Sequence, residues 1–141
     1  MAKRLYHASL LPDGCHVQLI EVGNARIPPP PDPPVAMPRV LAGPGGILVS
    51  TRCPDYGNVD VEVWAGDPGP PRREVVFDGE LETATRGFDV GPATALTFHL
   101  GAAPGTYRVL ADVHTNTDGD VDSVRFIFLE AQDLTGTLVN P

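Results

Sequence analysis

The chain has 141 residues, a formal net charge of −8, 15 glycines and 16 prolines. That length fits one domain, 1–141, around a single core, and so much Gly and Pro excludes long helices in favour of short strands and turns. The acidic balance argues against nucleic-acid or anionic-membrane partners and for a basic protein or a cation, while 42% hydrophobic residues exclude global disorder.

The N-terminal MAKRLYHASLLPDG carries Lys3 and Arg4 ahead of a short apolar stretch. His7 interrupts that stretch and no A-x-A cleavage site follows, so a secretory signal is not expected. No apolar run approaches membrane-spanning length, and a cytoplasmic location is the expectation. Arg4 to Leu10 and Cys15 to Val22 read as strands flanking the turn LPDG, which predicts a hairpin. Between Ile27 and Arg39 stand seven prolines. They remove ladder donors and favour polyproline II, so about 24–39 is expected to be a Pro-rich surface loop. No complete SH3 or WW ligand pattern occurs there.

Gly46 to Cys53 is rich in β-formers. Asn58 to Ala65 alternates, with Val59, Val61 and Val63 to one side and Asp60 and Glu62 to the other. Trp64 shares the second side. It is either an exposed partner anchor or packed beneath GDPGPP or the Pro-rich loop, and packing is preferred for a lone Trp. Arg73 to Thr83 is a longer strand with a bend predicted at Asp78–Gly79, and Arg86 to Val90 is short. Ala95 to Leu100 sends Leu96, Phe98 and Leu100 inward and Thr97 and His99 outward. Thr106 to Thr115 buries Tyr107, Val109, Ala111 and Val113. Val121 to Ala131 buries Val124, Phe126 and Phe128, and the tail GTLVNP is either a last edge strand or frayed.

These are about nine strands, each with one apolar face. They predict an all-β fold with minimal helix: a two-sheet antiparallel β-sandwich, jelly-roll-like, with a closed barrel as the alternative.

HTNTDGDVDS, residues 114–123, has the look of a metal loop. With Gly119 at the sixth position of an EF-hand, the first and twelfth positions fall on His114 and Arg125, where carboxylates are required. The EF-hand reading fails. Asp-Gly turn chemistry explains the segment better than a looser calcium-dependent binding module using the 116–122 loop. Cys15, His16 and Cys53 lack the paired spacing of a zinc site; whether the two cysteines pair is open. No metal and no cofactor is expected. No catalytic motif occurs around His7, His16, His99 or His114, each on a strand position compatible with solvent, so a non-enzyme is expected, with an enzyme lacking any recognisable motif as the alternative.

From Gly46 to about Glu130, GILVSTRCPDYGNVDVEVW, REVVFDGELE and ALTFHLGAAPGTYRVLADV resemble the competence-protein-J-like proteins. The shared features are a V-x-V-x-V strand at Val59–Val63, an E-V-V strand at Glu74–Val76 and a PG-x-Y-R-V turn and strand at Pro104–Val109. The Pro tract departs from that pattern, as does FLEAQD, where Trp-Pro is expected. The best-known member inhibits a nuclease of DNA uptake. The resemblance implies a β-sandwich and a role in binding a nuclease or toxin, and it transfers no functional residues. A non-enzymatic, acidic inhibitor or immunity protein follows as the functional expectation, with a basic protein partner. The carboxylates Asp55, Asp60, Glu62, Asp118, Asp120 and Asp122 are its candidate contacts, and Trp64 its candidate anchor.

Overall fold

The computed structural model describes residues 2–12, 14–23, 38–70, 73–92, 97–130 and 134–138. The described residues form two packed sheets. The first holds β1 (Lys3–Leu10), β5 (Val59–Ala65), β6 (Glu74–Thr83), β9 (Gly105–Thr115) and β10 (Val121–Phe128), in the order β1-β5-β10-β9-β6. The second holds β2 (His16–Glu21), β3 (Val40–Gly43), β4 (Gly46–Ser50), β7 (Gly87–Gly91), β8 (Phe98–Gly101) and β11 (Thr135–Leu138), in the order β11-β8-β7-β2-β4-β3. A single 3-10 turn spans Pro54–Tyr56. The all-β sandwich expected from the alternating segments is therefore the fold.

The core lies between the sheets and is built from the predicted inward faces. Val59, Val61 and Val63 of β5, Val109, Ala111 and Val113 of β9, and Val124, Phe126 and Phe128 of β10 meet Val17, Leu19, Ile47, Val49, Phe88, Val90, Phe98 and Leu100 from the opposite sheet. Tyr6 stacks on Phe98 with ring centroids 4.4 Å apart and donates its hydroxyl hydrogen to Thr97 Oγ1 at 2.7 Å. That contact joins the two sheets and satisfies a polar group at the edge of the core.

Several expectations are corrected. The strands number eleven rather than nine among the described residues: β3 was not foreseen, and part of the tail forms the edge strand β11. The sandwich is not wholly antiparallel, because β5 and β10 run parallel, Asp60 beside Ser123 through Ala65 beside Phe128. β1 and β2 do not form a hairpin: β1 pairs with β5 and β2 with β4 and β7, so the chain crosses between sheets at residues 11–15. Both strands carry apolar residues for one shared core, which opposite sheets satisfy. The irregularity in β6 falls between Val75 and Phe77, not at Asp78–Gly79. Of the Pro-rich loop only Pro38 and Arg39 are described, and Leu96 also lies outside the described residues.

One connection decides which surface stays open. β5 and β6 are parallel, at positions two and five of the same sheet, so the chain from Gly66 to Arg73 must pass β10 and β9. Of its described residues, Arg73 reaches the sheet's outer face, where Nη1 donates to Ser123 Oγ at 2.6 Å.

Candidate functional site

The outer face of the first sheet is arranged in rungs. Strand register sets Ser9, Asp60, Ser123 and His114 side by side across four strands. The next rung is His7, Glu62, Arg125 and Asp112, and the one beyond contains Trp64, Ile127 and Leu110. Adjacent strands lie about 4.8 Å apart, so side chains within a rung are neighbours.

The second and third rungs are closed apart from His7, which is exposed. Arg125 is 7% exposed and Asp112 fully buried; Arg125 Nε and Nη2 donate to the two Asp112 carboxylate oxygens at 2.8 and 2.5 Å. This bidentate pair raises the Arg125 pKa above its ordinary value, chiefly through the hydrogen bonds to Asp112, against the opposing cost of burial. Glu62 is 9% exposed, which corrects the expectation that it shares an open face with Asp60. It accepts from Trp64 Nε1 at 2.8 Å and faces Arg73 Nη2 at 3.8 Å. Trp64 is half-buried with its N–H engaged. Arg73 reaches over Glu62 and Ser123, a coverage that strand parity alone does not reveal.

The first rung opens into a cleft of about 400 Å³ lined by Ser9, Arg52, Asn58, Asp60, Arg73, His114, Asp122 and Ser123. Asp60 projects freely into it, while Asp122 Oδ1 meets His114 Nδ1 at 2.7 Å. Arg52 reaches in from the β4–β5 connection and donates through Nε and Nη2 to the Asn58 carbonyl. Its other side lines a second recess with Arg39, Gly119 and Asp120. Arg52 thus lies between the two predicted acidic groups, the one around Asp60 and the one at 118–122, which adjoin at one end of the sandwich.

Local sequence builds this end. In the 116–120 turn, Asn116 Oδ1 accepts the Asp118 and Asp120 N–H groups, both at 3.0 Å, and Gly119 has φ +86°. This is Asx-turn chemistry, with the amide oxygen already used by the backbone. Among the described residues no three His, Cys, Asp or Glu side chains are grouped to hold a metal ion. The Arg52 N–H donates to the Val121 carbonyl at 3.0 Å, pinning the β4–β5 connection to the start of β10. Cys15 and Cys53 form a disulfide that ties the same connection to the β1–β2 turn, and the Thr51 N–H donates to the Cys15 carbonyl at 2.9 Å. His16, at a strand position compatible with solvent, is buried with Nδ1 3.1 Å from the Gly14 carbonyl oxygen.

Two apolar side chains stand out on this end: Tyr56 is 69% and Leu11 59% exposed. Neither was singled out from sequence. Each sits in a Pro-containing turn without strand parity, which leaves nothing in the pattern to say which way it faces. Arg52 and Arg73 were also missed, because their place beside the carboxylates depends on non-local connections.

No protein-family model matches the chain, and no curated protein sequence matches it. Among solved structures it is similar to ComJ of Bacillus subtilis, described as an inhibitor of the DNA degrading activity of NucA. The TM-score is 0.63 over 93% of this chain and 99% of that chain, at 9% sequence identity. The two share a fold along nearly their whole lengths.

Proposed function

We propose that this chain is a protein-binding β-sandwich of the inhibitor or immunity type, directed at a basic partner such as a nuclease or toxin. The observation that carries this reading is the meeting of the two acidic groups at one end. Among the described residues Asp55, Asp60 and Asp118 make no ion pair, and Asp120 adds a fourth carboxylate beside Arg52. A nuclease cleft is built to receive phosphate, so it attracts such a surface and speeds encounter with it. The fold shared with a nuclease inhibitor supports the same reading. The second and third rungs act as scaffold: Glu62 and Trp64 hold the crossing connection rather than meet the partner, and Asp60 and Asp122 face it.

The test is a DNA-degradation assay with NucA and with basic nucleases and nuclease toxins from the source organism, each titrated with the purified chain. Inhibition saturating at a fixed stoichiometry is expected. Charge reversal at Asp55, Asp60 and Asp118 should slow association with little change in dissociation. Undiminished DNA cleavage by every nuclease at excess chain would overturn the inhibitor reading.

A further inference from the structure

The disulfide and the two exposed apolar residues belong together. Leu11 lies in the β1–β2 turn that ends at Cys15, and Tyr56 lies in the 3-10 turn that follows Cys53. The Cα atoms of the two cysteines are 4.1 Å apart. Neither turn has the pairing of a hairpin, since each connects strands of different sheets: β1 to β2, and β4 to β5. Cys15 also holds φ +62°, a left-handed conformation uncommon for a residue with a Cβ. The geometry of this end is thus over-determined by a covalent bond and by the Thr51–Cys15 and Arg52–Val121 backbone hydrogen bonds.

A tyrosine ring exposed on a well-fixed turn is a low-entropy contact, with only two side-chain torsions to order on binding. Exposed large hydrophobic residues are few among the described residues: Val75 and Leu138 lie on the edge strands, while Leu11 and Tyr56 lie on the two joined turns. Asp55 is next to Tyr56 in sequence, and the clefts of the same end are lined by Asp60, Asp120 and Asp122 together with Arg39, Arg52 and Arg73. Apolar anchors within a charged rim have the arrangement of a protein-binding centre.

We infer that Leu11 and Tyr56, held on their turns by the Cys15–Cys53 disulfide, are the apolar anchors of a docking surface whose occupant is a partner protein with an apolar recess bordered by Lys or Arg. This deepens the proposed function by naming the contact that holds a complex after charge has steered it. It moves the anchor role from Trp64, whose N–H is engaged and whose ring is half-buried, to Tyr56. It also makes binding depend on oxidation: opening the disulfide leaves the two turns joined by the Thr51–Cys15 hydrogen bond without the covalent tie and raises the ordering cost of docking.

The experiment keeps this inference separable from the nuclease reading. The probe is a synthetic peptide alternating Lys with Leu and Phe, titrated into the isotope-labelled chain and followed by NMR shifts. Perturbations centred on Leu11, Asp55, Tyr56 and Asp118 are expected, with affinity falling about tenfold or more in Leu11→Ala and Tyr56→Ala. Trp64→Phe should bind like the parent chain. The oxidised chain should bind more tightly than the reduced chain or the Cys15→Ser/Cys53→Ser variant. If that variant fails to fold, the two alanine variants decide the matter alone. Shifts centred elsewhere, no binding at low salt, or unchanged affinity in both alanine variants would overturn the inference. Peptide binding at this end without inhibition of any nuclease would leave the surface standing and remove the nuclease as its target.

Discussion

Single residues carry sharply unequal loads here. Asp112 was not singled out from sequence, and Arg125 figured only as a failed calcium ligand. In the fold they are a buried, bidentate pair. Asp112→Ala would strand a buried guanidinium and should cost about 3–5 kcal/mol in denaturant unfolding, whereas Asp112→Leu with Arg125→Met should recover most of that loss. The raised Arg125 pKa makes the pair's contribution insensitive to moderate alkali. With the folded value above the unfolded one, stabilisation is complete below the ordinary guanidinium value and is lost only as pH rises through the raised one. Gly87 is the opposite case, indispensable for what it lacks. It has φ +126°, and a Cβ there would lie 1.9 Å from the Leu100 carbonyl oxygen. Gly87→Ala should therefore lower stability by about 3 kcal/mol or more, measured as a shifted denaturant midpoint.

At the level of elements, strand periodicity made β5, β9 and β10 legible, because V-x-V-x-V and its relatives assign each side chain to a face. What periodicity omits is the covering of the polar face. Glu62, Ser123 and Arg125 alternate correctly yet are buried; Arg73 reaches across to Glu62 and Ser123. Arg73→Ala removes the bond to Ser123 and the ion pair to Glu62, and should destabilise by about 1–2 kcal/mol. Faster hydrogen exchange in β10 would mark the cover as loosened. The disulfide was open from sequence because Cys15 and Cys53 meet only after β1 and β2 enter different sheets. It spans a separation of 38 residues, for which the chain-entropy model gives a stabilisation on the order of 4 kcal/mol. Reduction should lower Tm by several degrees, while Asn116→Ala, which removes the Asx acceptor of the neighbouring turn, should lower it far less.

For the molecule as a whole, the fold class followed from composition and turn spacing, and strand order did not, because pairing across sheets leaves no local mark. The clustering of Asp60 with Asp118–Asp122 is a product of that order. On the proposed function, these carboxylates, interleaved with Arg39, Arg52 and Arg73, steer a basic partner to this end. Association with a basic nuclease should therefore slow steeply as salt rises, while dissociation changes little. Stopped-flow association rates equal at low and high salt would contradict this. A disulfide persists in oxidising surroundings and opens in reducing ones, so the chain's compartment decides which form of this end a partner meets.

The parallel union of β5 with β10 also bears on how the chain comes to be folded. β1 pairs only with β5 in its sheet, and β5 otherwise pairs only with β10, which begins at Val121. The β1–β5 pair therefore has no further neighbour in its sheet until β10, more than fifty residues along the chain from β5, is in place. Topology of this kind, poor in local contacts, folds slowly. A fragment ending before Val121 should remain unfolded and prone to aggregate through its unpaired strands.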